Sequence, residues 1–101
     1  MAKWVRAGHV DDFQRSMKFQ YKRKSIALFK QDDQIYALDN VCSHEYSELS
    51  EGMILDGSVY CPKHGSRFEI ATGKVLDLPA TSNVKRYPVN VKDGEIFVQL
   101  K

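Results

Sequence analysis

The chain has 101 residues, of which 43% are hydrophobic and 28% charged, with a formal net charge of +2. That length supports one domain, 1–101, with one modest core, and the near balance of charge excludes the strongly basic footprint of a nucleic-acid binder. No stretch approaches the roughly 20 apolar residues of a spanning helix, and Met1–Arg6 has no apolar run of leader length, so a cytoplasmic protein without a membrane partner is expected.

In chain order, Met17–Tyr21 and Ser25–Lys30 read as short strands, with Lys22, Arg23 and Lys24 between them and Lys18 nearby. That basic run reads as a solvated strand edge, with an acidic docking partner as the alternative. Gln31-Asp32-Asp33 turns the chain into a third strand, Gln34–Leu38. Asp56-Gly57 is a hairpin turn ahead of Ser58–Tyr60, because a positive φ costs Gly nothing and Asp little. Arg67–Ile70 is a strand that breaks at Thr72-Gly73, and Val84–Val91 pairs with Glu95–Val98 across Asp93-Gly94. The one trace of helix, around Tyr46–Leu49, is too short to matter. Many short strands with regular turns define an all-β protein, an antiparallel β-sandwich or small barrel. Trp4, Phe29, Tyr36 and Phe97 fit its core, and His9 reads as a surface residue. Gly52, Gly57, Gly65 and Gly73 concentrate between the sheet segments, so residues of about 40–80 form a loop-rich insert carried by the strands.

That insert holds the only two cysteines, each beside a histidine: Cys42-Ser43-His44 and Cys61-Pro62-Lys63-His64, with 16 residues between His44 and Cys61. In a reducing compartment such a pair points to metal or catalysis before a disulfide. Two nucleophile–base pairs in one small domain are improbable chemistry. Two thiolates and two imidazoles complete a metal set, and two readings stand. A structural Cys2His2 zinc site accepts these donors, but zinc modules pair like ligands, C-x-x-C then H-x3-5-H, whereas each loop here mixes the two types. A [2Fe–2S] cluster with both cysteines on one iron and both histidines on the other matches the alternation C-x-H-x16-C-x-x-H.

On these motifs the chain resembles the Rieske-type ferredoxins, the small electron carriers of bacterial aromatic-ring-hydroxylating dioxygenase systems. "LSEG" at 49–52, "CPKHG" at 61–65, Arg67-Phe68-Glu69, "ATG" at 71–73, "DLPA" at 77–80, "YPV" at 87–89 and "DGEIFV" at 93–98 carry the likeness from about Trp4 to Val98. It implies a β-sandwich base bearing a cluster-binding subdomain at one end. It also implies one [2Fe–2S] cluster per chain. Cys42 and Cys61 would ligate the inner iron, and His44 and His64 the outer one. Pro79 would lie on a loop against the cluster. Two neutral imidazoles in place of two thiolates make the cluster easier to reduce. The chain has no G-x-G-x-x-G or P-loop and so no site for a flavin or nicotinamide. The resemblance therefore implies a monomeric carrier and not an enzyme. A flavoprotein or iron–sulfur ferredoxin reductase would feed it, and it would deliver single electrons to a terminal oxygenase that activates O2 at a mononuclear iron.

High-potential members of that family join one added cysteine per loop in a disulfide; the matching positions here are Ser47 and Lys63, so that bond cannot form and the low-potential branch is implied. A serine and a tyrosine that raise the potential there correspond to Ser66, which keeps a hydroxyl, and Phe68, which lacks one. Glu45 and Tyr46 beside His44 are a solvated loop, or else a partner contact. Two rival functions are a small subunit of an assimilatory nitrite reductase, which shares the fold, and a zinc-stabilised interaction domain without a redox role.

Overall fold

The computed structural model describes residues 3–13, 15–42, 47–63, 65–78 and 80–100. Its strands are β1 (Lys3–His9), β2 (Ser16–Tyr21), β3 (Lys24–Gln31), β4 (Gln34–Asp39), β5 (Ile54–Leu55), β6 (Ser58–Tyr60), β7 (Arg67–Glu69), β8 (Arg86–Tyr87), β9 (Val89–Lys92) and β10 (Glu95–Leu100), with single 3-10 turns at Val10–Asp12 and Leu49–Glu51. They form three antiparallel sheets in the orders β1-β10-β9, β2-β3-β4-β8 and β5-β6-β7. Among the described residues no helix is long and apolar enough to cross a membrane.

Four two-residue hairpins set the register, one at Lys22-Arg23 and three that begin on an aspartate. Asp32 and Asp33, Asp56 and Gly57, and Asp93 and Gly94 all have positive φ. That backbone is the one whose twist matches two flanking strands, which is why Asp and Gly occupy it. The pairs Gln31 with Gln34, Leu55 with Ser58, and Lys92 with Glu95 close these turns. Gly94 has a second reason to be glycine: a Cβ there would meet the His9 ring at 2.6 Å. His9 itself caps the first 3-10 turn, accepting from the Asp11 amide at 3.0 Å.

The central sheet is covered on both faces. Ile26, Leu28 and Ala37 join Tyr87, Ile96, Val98 and Leu100 in one core, while Ala27, Phe29 and Leu38 join Leu49, Val59, Phe68 and Ile70 in another. Period-2 alternation sends successive residues to opposite faces, so an uninterrupted apolar run such as Ile26-Ala27-Leu28-Phe29, all fully buried, requires a layer on each side. The insert is thus a third layer laid on the sandwich. Three ties anchor it to β2 and the residue before it: Arg15 donates to the Ile54 carbonyl at 3.0 Å, Ser16 to the Ser50 carbonyl at 2.9 Å, and Lys18 pairs with Glu48 at 3.0 Å.

The structure corrects several expectations. The N-terminal segment is a strand, β1, paired with β10 across nearly the whole sequence. Val84–Val91 is not one strand: β8 pairs with β4 and β9 with β10. The switch falls at Pro88, which has no N–H to continue a ladder, and whose carbonyl accepts from Gln99 at 3.0 Å. Trp4 is 46% exposed and Phe97 only half-buried, because Ile96, Val98 and Leu100 take the inward register of β10. Phe29 is a core residue as expected, and Tyr36 packs against the core partly buried. Lys22 and Arg23 form the two-residue turn between β2 and β3, with Lys22 at φ 54°; Lys24 opens β3, and β2, which carries Lys18, is an edge strand of its sheet.

Candidate metal centre

Two loops of the same construction carry the cysteines. In the first, Val41 and Glu48 form a bridge, and inside it the Cys42 amide donates to the Ser47 carbonyl at 2.9 Å. In the second, Tyr60 pairs with Arg67 between β6 and β7, and inside it the Cys61 amide donates to the Ser66 carbonyl at 2.7 Å. Each cysteine therefore opens a loop at the residue just past a paired strand position, and each loop closes on a serine five positions later. The second loop is tightened by the Gly65 amide, which donates back to the Cys61 carbonyl at 2.9 Å, with Gly65 at φ 75°.

The elements around the first loop are locked by Asn40, a fully buried polar residue. Its amide donates to the Ser25 carbonyl at 2.9 Å and its Nδ2 to Ser25 Oγ at 3.0 Å. Its carbonyl and Oδ1 accept from Leu49 at 2.6 Å and Ser50 at 2.8 Å. One residue, through its backbone and side chain together, thus satisfies two amides of the 3-10 turn and ties it to β3. The second loop is held against residues 76, 77 and 80. Ser66, also fully buried, accepts through Oγ from the Ala80 amide at 3.0 Å. Arg67 takes the Leu76 amide on its carbonyl at 2.7 Å and pairs through Nε with Asp77 at 2.9 Å. Gly52 lets the two halves close: a Cβ there would fall 2.0 Å from the Tyr60 carbonyl oxygen, one residue before Cys61.

The outcome is that Cys42 and Cys61, 3% and 2% exposed, share one apolar cluster with Leu49, Val59, Phe68 and Ala80, and are not joined in a disulfide. A thiolate buried among aliphatic and aromatic groups is costly unless its charge is neutralised, and metal coordination does so. The donor set fits a thiolate-bound metal: two sulfurs under apolar cover, each delivered by a loop of matching closure. Ser43, His44, Glu45, Tyr46, His64 and Pro79 lie outside the described residues. Ser47 and Lys63, at the positions where a disulfide would need cysteines, leave these two thiols as the chain's only ones. Phe68 is core, and Ser66, having accepted from Ala80, still has its hydroxyl hydrogen to donate.

Sequence reasoning missed Asn40, Arg67 and Asp77 as organisers of the site. Nothing in their spacing marks them; Asn40 reads locally as an ordinary turn residue after a strand, and its role depends on Ser25, fifteen positions earlier.

Residues 3–88 match the Rieske [2Fe-2S] domain, an iron–sulfur class of protein. The chain belongs to the Rieske [2Fe-2S] domain family. It is 33% identical over 100 residues to the ferredoxin component of the naphthalene 1,2-dioxygenase system of Pseudomonas putida, covering 97% of this chain and 96% of that one. It is 49% identical over 74 residues to the 3-phenylpropionate/cinnamic acid dioxygenase ferredoxin subunit of Photorhabdus laumondii, covering 72% of this chain and 70% of the relative. Among solved structures it superposes with a TM-score of 0.89 and 30% identity, over 94% of this chain and 91% of the other, on a chain of the complex of reduced oxygenase and oxidised ferredoxin in carbazole 1,9a-dioxygenase.

Proposed function

We propose that this protein is a one-electron carrier that feeds the terminal oxygenase of an aromatic-ring dioxygenase system. The observation that carries the reading is the pair of buried thiols on two loops of equal closure, in a chain that matches ferredoxin components of such systems along almost their entire length. Cys42 and Cys61 would hold the inner iron of one [2Fe–2S] cluster, and His44 and His64 the outer iron. Such a cluster supplies reversible one-electron chemistry at a potential above that of an all-thiolate cluster.

The chain's own residues do the rest. The Cys42–Ser47 and Cys61–Ser66 bonds fix where the sulfurs point, and Leu49, Val59, Phe68 and Ala80 keep water from them. Ser66 and Arg67 hold the segment leading to Pro79 against the second loop. Leu78, 75% exposed on that segment, offers an apolar contact to a partner docking over His44 and His64. A ferredoxin reductase would supply the electrons, and the protein would act as a cytoplasmic monomer.

The test is the low-temperature EPR spectrum of the dithionite-reduced protein, with iron and acid-labile sulfide assays. A rhombic signal with average g below that of an all-thiolate cluster is expected, together with loss or alteration of that signal in His64→Ala while the β-sheet circular dichroism persists. Zinc in place of iron and sulfide, or a signal unaffected by His64→Ala, would overturn the ligand assignment.

A further inference from the structure

Cations collect at one end of the central sheet, the end from which the first cysteine loop departs. Lys22 lies over the Tyr21 ring at 5.4 Å, and Lys24 and Lys85 both lie over the Tyr87 ring, at 5.8 and 5.1 Å. Arg23 between them and Arg86 beyond are exposed. Among the described residues no carboxylate pairs with Lys22, Arg23, Lys24 or Lys85; Asp39, at the same end of β4, is taken up by the Tyr87 hydroxyl at 2.5 Å. A shallow cavity of about 290 Å³, lined by Tyr21, Lys22, Arg23 and Lys24, notches this surface.

The position relative to the thiols follows from the backbone. Lys24 adjoins Ser25, whose carbonyl and hydroxyl hold Asn40, two residues before Cys42. The Lys85 carbonyl accepts from Asp39 at 2.8 Å, one residue earlier still. At the other end of β3, about 23 Å away at strand rise, sit the exposed Asp32 and Asp33. The Asp56-Gly57 turn lies there too, since the Gln31 side chain comes within 3.6 Å of where a Gly57 Cβ would stand. The cationic cluster therefore sits at the end of β3 beside the first thiol loop, while the far end mixes Asp32, Asp33 and Asp56 with the exposed Lys30 and Arg15.

We infer that this cationic end is a landing face for an acidic surface on the terminal oxygenase, orienting the carrier so that its cysteine loops arrive first. The inference rests on the carrier reading above. Opposed charge patches of this kind raise encounter rates and fix orientation more than they raise affinity, and they lose effect with salt.

The test compares two doubly substituted holoproteins with the same change in net charge: R23E/K85E at the cationic end, and K30E/K92E elsewhere on the sheets. Ferricyanide, an anion, and tris(phenanthroline)cobalt(III), a cation, stand in for acidic and basic partners. After dithionite reduction one electron passes from the protein to each oxidant, and stopped-flow absorbance gives the rate constant. At low ionic strength R23E/K85E should slow ferricyanide by about tenfold and speed the cobalt complex, with both effects fading in high salt. K30E/K92E should change either rate far less. Elution from a sulfopropyl cation exchanger, which does not depend on redox state, should likewise move to lower salt for R23E/K85E than for K30E/K92E. Equal behaviour of the two variants, in a protein with the expected EPR signal, would overturn the landing face alone. Absence of that signal in the unsubstituted protein would overturn the carrier reading and this inference with it.

Discussion

Ser66 and Asn40 each hold a distant backbone amide with a buried side chain, and each can be tested alone. In Ser66→Ala the Ala80 amide loses its acceptor inside the protein, and leaving a buried donor unpaired costs about 1–3 kcal/mol. Chemical denaturation should show that loss, and protein-film voltammetry should show a lower reduction potential if the hydroxyl hydrogen is donated toward the metal centre. An unchanged potential would make Ser66 a purely structural tie. Asn40→Ala strips partners from Ser25 and Ser50 at once. It should cost about 2 kcal/mol or more and lower iron content per chain, since the first cysteine is two residues away. Full iron occupancy at reduced stability would show that the loop keeps its shape without the lock.

At the scale of elements, the close approach of the 3-10 turn to β6 decides whether the two cysteine loops can share one core. Gly52 sits at φ −80°, a value open to any residue, so backbone freedom does not explain it. Space does: a methyl group there would collide with the Tyr60 carbonyl at 2.0 Å, and the obstacle is backbone, which cannot rotate away. Gly52→Ala should destabilise by about 1–3 kcal/mol through overpacking and impair iron–sulfur incorporation, read as the absorbance ratio of cluster to protein. Wild-type loading would show that the turn can swing outward. The strand boundary at Pro88 belongs to the same scale. The local sequence is extended on both sides, and only the missing amide tells where one sheet yields to the next.

For the molecule as a whole, two titrations bracket stability. Burial first, and then the hydrogen bond and charge of Asp39, hold the Tyr87 hydroxyl well above the ordinary phenol range. A raised pKa means that the folded state keeps its proton longer than the unfolded chain. The associated stability is complete below about pH 10, the unfolded phenol value, and is lost as pH rises beyond it. Tyr87→Phe should flatten that alkaline loss in thermal melts taken between neutral and strongly alkaline pH; an unchanged alkaline slope would assign it to other groups. In the opposite direction, the Arg6 guanidinium lowers the Glu95 carboxyl through a two-pronged pair, the longer arm at 3.2 Å, joining β1 to β10. Its contribution is present above the ordinary carboxylate range and fades on acidification, and because the pair is exposed, salt screens it.

Much of this protein was legible in the chain because its signals are local. Three of the hairpin turns are written in Asp-Asp and Asp-Gly, whose backbones tolerate the φ a tight antiparallel turn demands. The strands follow from β-branched and aromatic residues around those turns, and C-x-H with C-x-x-H names the donors by type and spacing. What lay beyond it depends on groups far apart in the chain. β1 is unremarkable until β10 is beside it, and Trp4 and Phe97 face outward because register, not hydrophobicity, chose the inward side. The run Ile26–Phe29 reads simply as part of a strand, and the packed third layer shows that both its faces are covered. Asn40 acquires its role from Ser25, the thiols meet because Gly52 leaves room, and Lys85 joins Lys24 over one tyrosine ring. Side-chain chemistry and turn geometry are properties of a few neighbouring residues, so the sequence by itself determined them. Convergence of distant segments is a property of the whole packed core, and only the tertiary structure decided it.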